Sequence, residues 1–98
     1  MNNMQAMLKQ AQSLQKEMLK VKDEIDSTEF VGESAFVKVV LKGSREVVEV
    51  KIDSDSLDKD DIEALEDMLV IAINSAQKKI DDVTEKKMGK FGNIPGLF

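Results

Sequence analysis

The sequence predicts an α+β protein in the order α-β-β-β-α, with a three-stranded antiparallel meander between two long helices. Three observations predict it. Apolar residues repeat with a helical period near the N-terminus. They then repeat with a period of two through the middle, and return to a helical period afterwards. The chain has 98 residues, enough for one domain with a modest core.

The first helix is expected over about residues 3–26. Met4, Met7, Ala11, Leu14, Met18, Val21 and Ile25 alternate spacings of three and four, a heptad seam. No Gly or Pro interrupts residues 1–31. At 1.5 Å per residue the helix would be roughly 35 Å long. A globule of this size does not need that length, so part of the helix is expected to project or to meet a second chain.

Strands are expected at about 28–33, 36–42 and 45–52. Val37, Val39 and Leu41 share one face, as do Val48, Val50 and Ile52. Val40 and Val47 break the alternation. Gly43 supplies the backbone freedom of a tight hairpin turn, and Ser34-Ala35 joins the first two strands.

The second helix is expected over about residues 59–88. Asp58 suits its N-cap, with Asp61 where a capping box would hold Glu or Gln. Residues 68–73 are apolar almost all round, which requires burial on several sides. Met68, Leu69, Ile71, Ala72 and Ile73 are therefore assigned to the core or to a dimer interface. One chain offers too little cover for this helix and the seam together, so an intertwined or face-to-face homodimer is expected. Residues 1–88 form the single domain. Residues 89–98, with three glycines and Pro95, are expected to be a mobile tail.

Composition narrows the function. There is no His and no Cys, which removes the usual general base, thiol chemistry and disulfides. No P-loop or G-x-G-x-x-G is present. The acids from Asp53 to Asp61 lack the central Gly and closing Glu of a calcium loop, and read as a solvated helix start. No enzyme activity, cofactor, metal or small-molecule substrate is expected. No stretch approaches a membrane span, and the protein is expected in the cytoplasm.

The net charge is −5 but is blocked. Residues 1–22 carry four lysines against one glutamate, while residues 53–67 carry eight acids against one lysine. On the first helix Gln5, Lys9, Gln12, Lys16 and Lys20 lie on one line opposite the apolar seam. Lys can neutralise phosphates and Gln can hydrogen-bond phosphates or base edges. The same face is also what any amphipathic helix needs for solvation. The Lys78-Lys79 and Lys86-Lys87 pairs form no single stripe.

Read end to end, the chain resembles the YbaB/EbfC family. The resemblance rests on five stretches in order: residues 4–12 (MQAMLKQAQ), 29–33 (EFVGE), 47–53 (VVEVKID), 67–76 (DMLVIAINSA), and the close at 87–90 (KMGK) with 94–96 (IPG). Ser34-Ala35 departs from a more glycine-rich turn. The resemblance implies a tweezer-like homodimer that binds duplex DNA in the nucleoid, alters DNA conformation and influences gene expression. It places Gln5, Lys9, Gln12, Lys16 and Lys20 on the DNA-contacting side of the first helix. The competing expectation is a protein–protein adaptor that docks partners through the heptad seam and the apolar tail.

Overall fold

The fold is taken from a computed structural model, which describes residues 3–53, 55 and 57–92. Helix α1 spans Asn3–Ser27, strands β1, β2 and β3 span Glu29–Ser34, Val37–Lys42 and Val47–Ile52, and helix α2 spans Ile62–Met88. The strands form one antiparallel sheet in the order β1-β2-β3.

Helix α2 begins later than the sequence suggests, because Lys59–Asp61 form a 3-10 turn ahead of it. Asp61 nonetheless completes the capping box. The Lys59 amide donates to the Asp58 carboxylate (2.7 Å) and the Asp58 amide to the Asp61 carboxylate (2.9 Å). The acids also face the positive end of the helix dipole.

Helix α2 packs across β1 and β2. The core joins Phe30, Val37, Val39 and Leu41 of the sheet to Ala72, Ala76 and Ile80 of the helix. Small residues set the separation. A Cβ at Gly32 would overlap the Ala72 carbonyl oxygen and lie 2.7 Å from the Ala76 amide nitrogen. Helix and strand therefore touch backbone to backbone. Lys79 adds a tie by donating to the Val31 carbonyl (2.6 Å).

Strand β3 differs from its expected half-buried state: all six of its residues are exposed. Val50 and Ile52 pair with Val39 and Val37 and so share the core-facing side. They stay open because α2 lies over the other two strands. Val47 breaks the alternation for a definable reason. A bulge shifts the register between Val40 and Leu41, so Val47 pairs with Leu41. Val40 is buried although it points to the opposite face.

Gly43 has a different role from the one expected. The left-handed residue of the β2–β3 turn is Arg45, with φ 77°. A Cβ at Gly43 would instead overlap the Ile25 carbonyl oxygen. Gly43 lets the hairpin turn meet the end of α1, where its amide donates to the Thr28 carbonyl (2.9 Å).

A second, smaller cluster joins the helices: Met18 and Ile25 of α1 against Met88 and Phe91, with Val21 and Val83 at its edge. Phe91 belongs to a 3-10 turn at Gly89–Phe91. The start of the expected mobile tail is thus part of the packed structure, and residues 93–98 lie outside the described residues.

Candidate nucleic-acid interface

The basic face sits on a projecting arm. Residues 3–17 of α1 are all exposed, on every side of the helix. Burial begins at Met18, where α2 and its terminal turn arrive. Gln5, Lys9, Gln12, Lys16 and Lys20 are all exposed, as that placement requires. Their spacing puts them on one side of a continuous helix, with the apolar seam opposite.

The lysines of this face are uncommitted. Among the described residues, Lys9, Lys16 and Lys20 enter no ion pair. The one acid of the arm, Glu17, is held by Lys90 (3.0 Å). Lys22, one turn nearer the sheet, bonds Asp26 (2.9 Å). That hydrogen bond, aided by the Asp26 charge, holds its ammonium above the ordinary lysine value of 10.5. The lysines singled out on α2 divide. Lys78 pairs with Asp82 and Lys79 caps the Val31 carbonyl, whereas Lys86 and Lys87 are exposed.

The acidic block stands at the other end. Glu17 meets Lys90, while Gly43 beside Ile25 belongs to the turn whose Arg45 pairs with Asp81. Moving back along α1 therefore means moving forward along α2, and the helices run antiparallel. The acidic first turn of α2 and the basic first turns of α1 lie at opposite ends of a molecule measuring 74 × 18 × 17 Å. That exceeds several screening lengths at physiological salt, about 8 Å each. The net charge therefore says little about the field at the arm.

The residues assigned to core or interface also divide. Ala72 is fully buried, and Met68, Leu69 and Ile73 pack at the edge of the core. Ile71 is 55% exposed, as is its neighbour Val70 at 57%. With Val48, Val50 and Ile52 of β3 they are large apolar groups that this chain leaves uncovered. The apolar run at 68–73 signals burial, but composition alone does not separate the residues that face the sheet from Val70 and Ile71, which face solvent. Among the described residues, no group of three or more acidic, His or Cys side chains is arranged to hold a metal. No described helix is long and apolar enough to cross a membrane.

Together these features define a small α-β-β-β-α protein with a basic helical arm. Residues 1–94 match the model of the YbaB/EbfC DNA-binding family. The chain belongs to that family. It is 44% identical over 98 residues to a nucleoid-associated protein of Ligilactobacillus salivarius, covering 97% of this chain and 94% of that one. A nucleoid-associated protein of Streptococcus sanguinis is 47% identical, covering 97% of this chain and 99% of that one. The fold matches the crystal structure of an uncharacterized protein from Helicobacter pylori with a TM-score of 0.74, at 21% identity, covering 89% of this chain and 94% of that one.

Proposed function

We propose that this protein is a nucleoid-associated protein that binds duplex DNA as a homodimer. It contacts the phosphate backbone through Gln5, Lys9, Gln12, Lys16 and Lys20 of two α1 arms. By holding the duplex between them it alters DNA conformation and influences gene expression. Its place is the cytoplasmic nucleoid, with DNA and its own second copy as partners and no substrate or cofactor.

The observation that carries this reading is the arm itself. A fully exposed helix with three uncommitted lysines on one side, and its one acid neutralised, presents positive charge at helical spacing. Membership of a DNA-binding family supports the same partner. The uncovered apolar residues of β3 and α2 support the dimer, because exposed apolar surface of this kind is what a two-fold contact would remove from water.

Backbone contacts make affinity depend steeply on salt. Three lysines from each of two chains would neutralise about six phosphates, giving a log–log salt slope near −5. Lys9, Lys16 and Lys20 changed together to Glu should abolish binding to a labelled duplex and leave the mass in solution unchanged. Retained affinity in that variant, or an affinity indifferent to salt, would remove the proposal's basis.

The adaptor reading has one observation in its favour: the seam residues Met4, Met7 and Leu14 are exposed. It predicts that the triple lysine variant keeps its partners and that DNA binding is weak throughout.

A further inference from the structure

Among the described residues, the apolar seam of α1 is covered at one end and open along the rest. Along it, exposure rises steadily away from the sheet: 1% at Met18, 43% at Leu14, 67% at Met7 and 84% at Met4. Helical spacing puts these residues with the exposed Ala11 on one continuous stripe. Met4 and Ala11 take the a places of a heptad, Met7 and Leu14 the d places, and Leu8 widens the stripe on one side. Met18, the next a residue, is buried under Met88 and Phe91.

The charges of the arm avoid this stripe. Between residues 4 and 14 the one charged side chain is Lys9, about 180° around the helix from the seam. Lys16 falls in the same f place of the next heptad. The e and g places beside the stripe hold Leu8, Gln10 and Gln15, none of them charged. Glu17, the nearest acid, is held by Lys90 (3.0 Å). Flanks without charge offer nothing to a partner chosen by opposite charge, and they set no like-charge barrier against a second copy of the same helix. The spacing also suits a copy. From Met4 to Leu14 the steps are three, four and three, the same in either direction. An antiparallel copy therefore sets Met4 opposite Leu14 and the long Met7 opposite the small Ala11.

We infer that the open seam takes the same segment of a second copy, as an antiparallel helix pair over residues 4–14. The cover at Met18 selects this direction. Met88 and Phe91 sit on the seam side of α1, so in a parallel pair the two final turns would meet at that level and hold the seams apart. In the antiparallel pair each tip stops beside Leu14, short of the other copy's Phe91 turn. The overlap is about 15 Å of helix. An isolated helix of that length is marginal in water, but the arm is one continuous helix anchored at Met18, so pairing bears less ordering cost. Pairing leaves Lys9 and Lys16 of both copies on the two outer sides. The contact is separate from β3 and Ile71, so it adds to the proposed homodimer face and does not replace it. It rests on the seam alone, and its test uses no DNA.

The absence of native cysteines allows a clean test. Full-length Met7→Cys and Ala11→Cys chains are produced together in one cell, purified reduced and then mildly oxidised. A control mixture pairs Met7→Cys with Ser13→Cys, on the far side of the helix. Mass spectrometry identifies which two chains each disulfide joins. The Met7–Ala11 disulfide between two chains should form about ten-fold faster than the control, equivalent to about 1.4 kcal/mol of preference. Formation no faster than the control overturns the inference and leaves the seam to a different protein. Faster joining of two Met7→Cys chains overturns it too, because that is the contact of a parallel pair. Amide exchange gives a second readout. Met7→Asp should speed exchange over residues 8–14 about ten-fold more than Ser13→Asp does, since it alone places a charge in the contact. Equal exchange in the two variants counts against the paired arm.

Discussion

Two glycines decide how closely the layers of this protein approach. Gly32 lets β1 meet α2 at Ala72 and Ala76, and Gly43 lets the β2–β3 turn meet the end of α1. Neither requires a left-handed backbone. Their hydrogen side chains matter because a carbonyl oxygen fills the space a Cβ would need. Gly32→Ala should therefore cost about 3 kcal/mol or more, since backbone on both sides must move apart. Urea denaturation of the two proteins checks this, and a loss under about 1 kcal/mol would mean that the layers have room to shift. The sequence marks both glycines but assigns Gly43 to the turn's backbone geometry. That residue-level reading misses because close approach is a tertiary property. The left-handed positions fall on Ala35 and Arg45 instead, at φ 48° and 77°. Ala35 stands in the turn between β1 and β2. Residue identity alone did not expose that backbone conformation.

Helix α1 is one element with two environments. Its heptad seam was legible in full, because spacing alone reveals which residues share a stripe. Its cover was not, because that depends on where α2 ends. Met18 is the boundary: it is almost wholly buried against Met88 and Phe91, and it anchors an arm of fifteen exposed residues from Asn3 to Glu17. Met18→Ala should cost about 3 kcal/mol, from lost transfer energy and the cavity left behind. The effect should be uneven. Amide exchange in α1 should rise sharply, while the sheet and the middle of α2, which belong to the other cluster, should change less. Uniform destabilisation would show that the two clusters unfold as one cooperative unit. The basic face was also legible as a stripe, but its freedom from internal partners emerges only when Glu17 is seen paired with Lys90. That pair joins residues far apart in sequence and leaves no local signal.

At the scale of the whole molecule, shape leaves apolar surface open, and the proposed homodimer would cover it. The radius of gyration is 19.5 Å, against about 13 Å for a compact domain of this length. Elongation of that degree leaves apolar groups in water, and β3 shows where. Val47, Val48, Val50 and Ile52 are exposed, although Val50 and Ile52 stand on the same side as the buried Val39 and Val37. The alternation that marks β3 as half-buried sets Val50 and Ile52 towards the core side, but α2 lies over β1 and β2 and leaves them without cover. A two-fold contact through β3 and the exposed Ile71 would supply it. Val50→Asp places a charge in that contact but stays outside the chain's own core, so helix and strand content should persist. Sedimentation should show the mass falling from two chains to one. The salt slope of DNA binding should fall to about half, because a single arm neutralises about half the phosphates. A Val50→Asp protein that remains a dimer would exclude β3 from the interface. The contact would then have to lie on the remaining exposed apolar surface, which includes Ile71 and the α1 seam.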